Sequence, residues 1–126
     1  MPSIESYRDL RVWQESMDLA EAVYRSWAER PKSAARSLSD QMFRSATSIP
    51  ANIAEGYGRE STHSYIQFLR IARGSLNELE TQILLAQRLR FVDFTQTAVL
   101  LASVEATSKM LNGLIRSLRE KNRAPA

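Results

Sequence analysis

A chain of 126 residues, 44% of them hydrophobic, is sized for one domain and can bury a core without cross-links. With no cysteine and one histidine, it has no disulfide framework, no thiol nucleophile and no cysteine-ligated metal site. Net charge is +3 but uneven: residues 1–30 hold four basic and six acidic side chains, residues 94–126 five basic and two acidic. That balance permits nucleic-acid binding without requiring it.

The first residues, Met1 to Arg11, mix Ser, Glu, Arg and Asp and contain no apolar leader. The longest apolar runs are about five residues, such as Ala98 to Ala102, against the roughly 20 that a membrane span needs. The expectation is a cytoplasmic protein with no membrane association.

Four apolar-periodic segments follow in chain order. In the first, Leu10, Trp13, Met17, Ala20, Tyr24 and Trp27 are spaced 3, 4, 3, 4, 3, a heptad seam on one helix face. Arg30 and Pro31 end it. A second strip, Val12, Leu19 and Val23, lies beside that seam. The second segment carries Leu38, Met42, Ala46, Ile49, Ile53 and Gly56, with Ser39 or Asp40 as cap, Pro50 as an internal kink, and Gly56 and Gly58 at its close. The third starts at Ser61 or Thr62 and runs through Tyr65, Phe68 or Leu69, Ala72, Leu76, Leu79, Ile83 and Ala86. Asp93 breaks the chain and caps the fourth, whose seam is Phe94, Thr97, Leu101, Val104, Ser108, Leu111, Ile115 and Leu118, with further apolar residues at Val99 or Leu100 and Leu114.

No useful period-2 alternation interrupts this pattern. The fold class is therefore all-α: an up-down-up-down antiparallel four-helix bundle forming one domain over 1–126. Its helices are expected at about 6–30, 38–57, 61–90 and 94–121. The additional apolar strips on the first and last helices widen the core or serve contact between copies.

No catalytic constellation is present. His63 stands alone, no Glu-x-x-His pair offers a di-metal site, and Glu55-Gly56-Tyr57-Gly58 follows a helix rather than a strand, so it cradles no phosphate. The expectation is no enzyme, no metal and no cofactor. Polar residues inside the second and third helices do want a reason, because Asn and Ser are mediocre helix formers. Gln41, Arg44, Ser48, Asn52 and Glu55 on one helix and Ser75 and Glu78 on the other read as a structural polar seam. In this reading Arg44 pairs with Glu78, and Gly74 lets the two backbones approach.

The same residues carry a resemblance. Gln41-Met-Phe-Arg-Ser-Ala-Thr-Ser-Ile-Pro-Ala-Asn-Ile-Ala-Glu-Gly56 resembles the signature of the four-helix-bundle proteins encoded in bacterial 23S ribosomal RNA intervening sequences. Phe68 to Glu80 is similar to that family's second motif, Asp9-Leu-Arg-Val-Trp-Gln14 to its opening, and Met110 to Ile115 to its closing helix. The resemblance implies a ring-like homopentamer. A related branch is the accessory variability determinant of diversity-generating retroelements, a basic pentamer that binds nucleic acid and a reverse transcriptase. On this footing the chain is expected to be a non-catalytic homo-oligomeric scaffold binding RNA or DNA through basic surface residues. The candidates are Arg116, Arg119, Lys121 and Arg123, with Arg70, Arg73, Arg88 and Arg90 as a second group. The alternative is a protein-binding accessory module, such as a reverse-transcriptase partner.

Overall fold

The computed structural model describes residues 3–28 and 36–123, the last by its backbone only. A 3₁₀ turn at Tyr7–Asp9 leads into α1 (Arg11–Ser26), followed by α2 (Arg36–Tyr57), α3 (Thr62–Arg88) and α4 (Phe94–Arg123). The expected end of the first helix at Arg30 and Pro31 lies outside the described residues; α1 itself closes at Ser26, with Trp27 as its C-cap.

Local chemistry sets most boundaries. Ser6 and Asp9 form a reciprocal capping box on the 3₁₀ turn: Ser6 Oγ accepts from the Arg8 N–H, and Asp9 Oδ2 from the Ser6 N–H. Ser61 caps α3 by accepting from the Ser64 N–H at 3.1 Å, and Asp93 caps α4 by accepting from the Gln96 N–H at 2.7 Å. Ser39 and Asp40 do not cap α2, which already begins at Arg36; the Ser39 hydroxyl donates back to the Arg36 carbonyl within the helix. Pro50 is buried inside an α2 that continues to Tyr57.

Facing residues establish the topology. On α2 and α3, Ser48 meets Ser75, while the later Gly56 meets the earlier Tyr65 and Phe68. Numbers rise on one helix as they fall on the other, so the pair is antiparallel. On α3 and α4, Arg73 meets Asn112, and Leu84 shares a cleft with Leu101, again in opposite order. The α1–α2 pair follows the same rule, with Tyr24 against Phe43 and Trp13 beside Pro50 and Ala54. Each helix packs on its sequence neighbour, and α4 returns to α1. The result is the expected up-down-up-down bundle.

The core runs through Leu19, Met42, Ile49, Ile53, Leu69, Leu76, Leu79, Ile83, Leu111 and Ile115, all essentially without solvent contact. The stripes expected for α2 and α3 are the buried ones, with Leu69 rather than Phe68 facing inward. The face of α1 is not the expected one. Val12, Ser16, Leu19, Val23 and Ser26 are buried, whereas Met17 is 44% and Tyr24 60% exposed. Ser16 and Ser26 hid this stripe, because each satisfies its hydroxyl on its own helix, donating to Trp13 O at 2.8 Å and Val23 O at 2.6 Å. Trp13 and Tyr24 instead cover the α1 edge, their rings packed on Tyr7 and Phe43. On α4, Leu100 joins the core, while Val99 and Phe94 face outward.

Candidate nucleic-acid interface

The expected basic residues divide into two groups at opposite ends of the bundle. Arg73, half-buried on α3, donates from Nη1 to Asn112 Oδ1 of α4 at 3.1 Å. Given the antiparallel register, that bond sets Arg70 at the level of Arg116 one turn further along. Arg70, Arg116, Arg119 and Lys121 are all exposed. The side chain of Arg123 lies outside the described residues. Arg88 and Arg90 are at the other end, where α3 turns into α4. Eighteen residues of helix separate Arg70 from Arg88, about 27 Å along the axis. The eight candidates are therefore not one patch.

The three ion pairs among the described residues join Arg25 to Glu21, Arg59 to Glu55, and Lys109 to Glu105, each one turn apart on the surface of one helix. Arg70, Arg88, Arg90, Arg116, Arg119 and Lys121 have no carboxylate partner among them.

The α3–α4 turn has a conformation that its sequence does not advertise. Arg90 has φ 64°, in the left-handed region usually left to glycine. Its N–H donates to Gln87 O, and the Phe91 N–H reaches back to Ala86 O, both at 2.9 Å. Those two bonds are a Schellman closure of α3 with arginine at the position that favours glycine. A cleft of about 710 Å³ opens there, lined by Gln87, Arg88, Arg90, Val92, Asp93 and Phe94. Phe94, expected in the core, is instead 82% exposed. It precedes the first inward turn of α4, which begins at Thr97.

The polar residues between α2 and α3 form an open groove rather than a closed seam. Ser48 and Ser75 share a hydrogen bond of 2.8 Å, and Asn52 Nδ2 donates to Ser48 O at 2.8 Å and to Ser48 Oγ at 3.0 Å. Gln41, Arg44, Ser45, Ser48, Ser75, Glu78 and Gln82 line a space of about 390 Å³. Arg44 and Glu78 are both exposed and make no ion pair with each other, contrary to expectation. Glu55 is also exposed and pairs with Arg59 at 2.7 Å rather than across the seam. Gln82, which sequence reasoning passed over, buries its Oε1 without a hydrogen-bond partner. Nor does Gly74 serve close approach, since a Cβ there would meet no atom within 4 Å; the tight contact is at Gly56.

At the α2–α3 turn, burial first and then the neighbouring Tyr57 push the Tyr65 phenol up to about 12. No group of three or more His, Cys, Asp or Glu able to hold a metal occurs among the described residues. One helix, α4, is long and apolar enough by length and composition to cross a membrane, which the short apolar runs of the sequence did not suggest. Its Thr97, Leu100, Val104, Thr107, Leu111 and Ile115 are buried in the bundle.

The model of the 23S rRNA-intervening sequence proteins matches residues 8–113. The chain belongs to that family. It is also similar to a crystal structure from Bacteroides thetaiotaomicron VPI-5482, a protein with unknown function from the S23 ribosomal protein family. The two are 28% identical and superpose with a TM-score of 0.75, over 82% of this chain and 97% of the other. No curated protein matches. Membership agrees with the resemblance in the α2 and α3 motifs and with the observed bundle.

Proposed function

We propose that this member of the family is a non-catalytic, homo-oligomeric cytoplasmic scaffold that binds RNA or DNA by neutralising phosphates with exposed arginines and lysines. The observation that carries the reading is the set of exposed cations without a carboxylate partner among the described residues: Arg70, Arg116, Arg119 and Lys121 at one end, Arg88 and Arg90 at the other. Such contacts hold a nucleic acid largely without regard to sequence. Assembly multiplies the effect, since five copies of a +3 chain would carry about +15 on one particle. Support for assembly comes from apolar side chains left outside: Met17 and Tyr24 on α1, Leu84 and Leu85 on α3, Leu89 at the α3 C-cap, and Val99 on α4.

Two measurements test this. Light scattering at micromolar concentration should give a multiple of 14.3 kDa, five being the number the resemblance implies; the monomer mass would refute assembly. Fluorescence anisotropy should show affinity falling steeply between about 50 and 200 mM salt, with little sequence preference. Charge reversal at Arg116 and Arg119 should weaken binding with the fold intact. No binding at the lowest salt would refute the nucleic-acid reading. It would favour a protein-binding accessory module, for which the apolar α1–α2 groove of about 730 Å³, lined by Trp13, Met17 and Pro50, is the best-suited surface.

A further inference from the structure

We infer that the α3–α4 turn is a stacking site for an unpaired base of single-stranded nucleic acid, with Phe94 as the platform and Arg88 and Arg90 holding the flanking phosphates. This rests on the nucleic-acid reading above and adds to it a place, a strand form and a role for an aromatic side chain. Four observations meet at one point. Phe94 is 82% exposed, the highest exposure among the large hydrophobic side chains of the described residues. Two guanidinium groups share its cleft and are engaged by no carboxylate among the described residues. The cleft, at about 710 Å³, is within the range of small-molecule and cofactor sites. And Arg90 stands at a left-handed position where glycine would relieve backbone strain, which is where function tends to be stored.

The charges around the cleft favour an anion. Among the described residues Asp93 is the acidic residue lining it, and its Oδ1 is committed to the Gln96 N–H at the positive end of the α4 dipole. Arg88 and Arg90 leave an excess of positive charge beside an exposed ring. A basic groove with a free aromatic face is the pattern by which proteins hold single strands, since every base offers a π-face and the backbone supplies the phosphates. A duplex keeps its bases stacked internally and gains nothing from Phe94.

The test is anisotropy with fluorescent single-stranded RNA, single-stranded DNA and duplex DNA, each of about 12 nucleotides per strand. Phe94→Ala should weaken binding of both single strands by about 5- to 150-fold and leave duplex binding unchanged. Phe94→Trp should restore it. Arg90→Gly is the control against misfolding: it should raise the melting temperature by relieving the left-handed strain, yet weaken single-strand binding and reduce the salt slope by about one. Equal effects of Phe94→Ala on single strand and duplex, or no effect, would overturn the inference while leaving phosphate binding through Arg116 and Arg119 standing. A changed particle mass for Phe94→Ala would also overturn it, by making Phe94 a contact between copies. If the wild-type chain binds neither strand form, this inference and the reading beneath it fall together.

Discussion

Gly56 and Gly74 both sit inside helices, and the same substitution should act on them with opposite sign. Replacing a helical glycine by alanine removes backbone freedom from the unfolded chain and is worth about 1 kcal/mol. At Gly74 nothing opposes that gain, because a Cβ would meet no atom within 4 Å. At Gly56 the new Cβ would lie 2.9 Å from Phe68 Cβ, 3.1 Å from Tyr65 Cδ1 and 3.1 Å from the Tyr65 carbonyl oxygen. Two of those atoms belong to or adjoin the α3 backbone and cannot swing aside as a side-chain tip would. Overpacking of this kind costs about 1–3 kcal/mol. The propensity gain is common to both variants, so the difference in stability between Gly74→Ala and Gly56→Ala isolates the packing penalty at about 1–3 kcal/mol. Denaturant titrations at one fixed protein concentration measure it, since assembly would otherwise shift the midpoint. Gly74→Ala should be the most stable of the three proteins. A Gly56→Ala protein as stable as Gly74→Ala would refute the close approach of α2 and α3. A destabilised Gly74→Ala would show that another copy covers that face of α3.

Leu19→Ala should lose about 2–5 kcal/mol, while Met17→Ala changes stability by less than about 1 kcal/mol; the reverse order in thermal melts would return the core to the heptad seam. Arg44→Ala and Glu78→Ala should each stay within about 0.5 kcal/mol of wild type and add in the double mutant, because the two groups are exposed and unpaired. Non-additive losses would restore the ion pair. Tyr65 holds its proton more tightly folded, up to about 12, than an unfolded phenol does at about 10. The associated stability is complete below about pH 10 and disappears as pH rises through about 12. Alkaline absorbance titration should lose its step at about 12 in Tyr65→Phe, and an unchanged titration would refute the assignment.

Much of the fold was legible because α2 and α3 carry their apolar residues in one unbroken stripe. Met42, Ala46, Ile49 and Ile53 leave no rival face on α2, and on α3 Ala72, Leu76, Leu79 and Ile83 keep a regular spacing that the exposed Ile71, Leu84 and Leu85 do not. On α1 two apolar rows lie one residue apart, a rotation of about 100°. The row with the larger side chains looks like the core until Trp, Met and Tyr are allowed their amphipathic habit of covering an edge. Ser16 then completes the smaller row, a choice that depends on a hydroxyl bonding to its own helix, which periodicity cannot express. The caps at Ser61 and Asp93 were readable because their chemistry is local.

The candidate site was legible in its residue types and not in its arrangement. Arg44, Ser48, Asn52, Ser75 and Glu78 do line one inter-helix boundary, as their positions mid-helix suggested. Whether such residues close into a seam or open into a groove turns on a small rotation of each helix about its axis, and sequence spacing does not contain that rotation. The basic residues show the same divide from the other side. Arg70 and Arg88 share a helix, yet about 27 Å separates them, more than two Debye lengths in physiological salt. One exposed phosphate cannot answer to both. If the chain binds nucleic acid as proposed, the two ends would act as separate sites, and Phe94 stands at one end and not at the other.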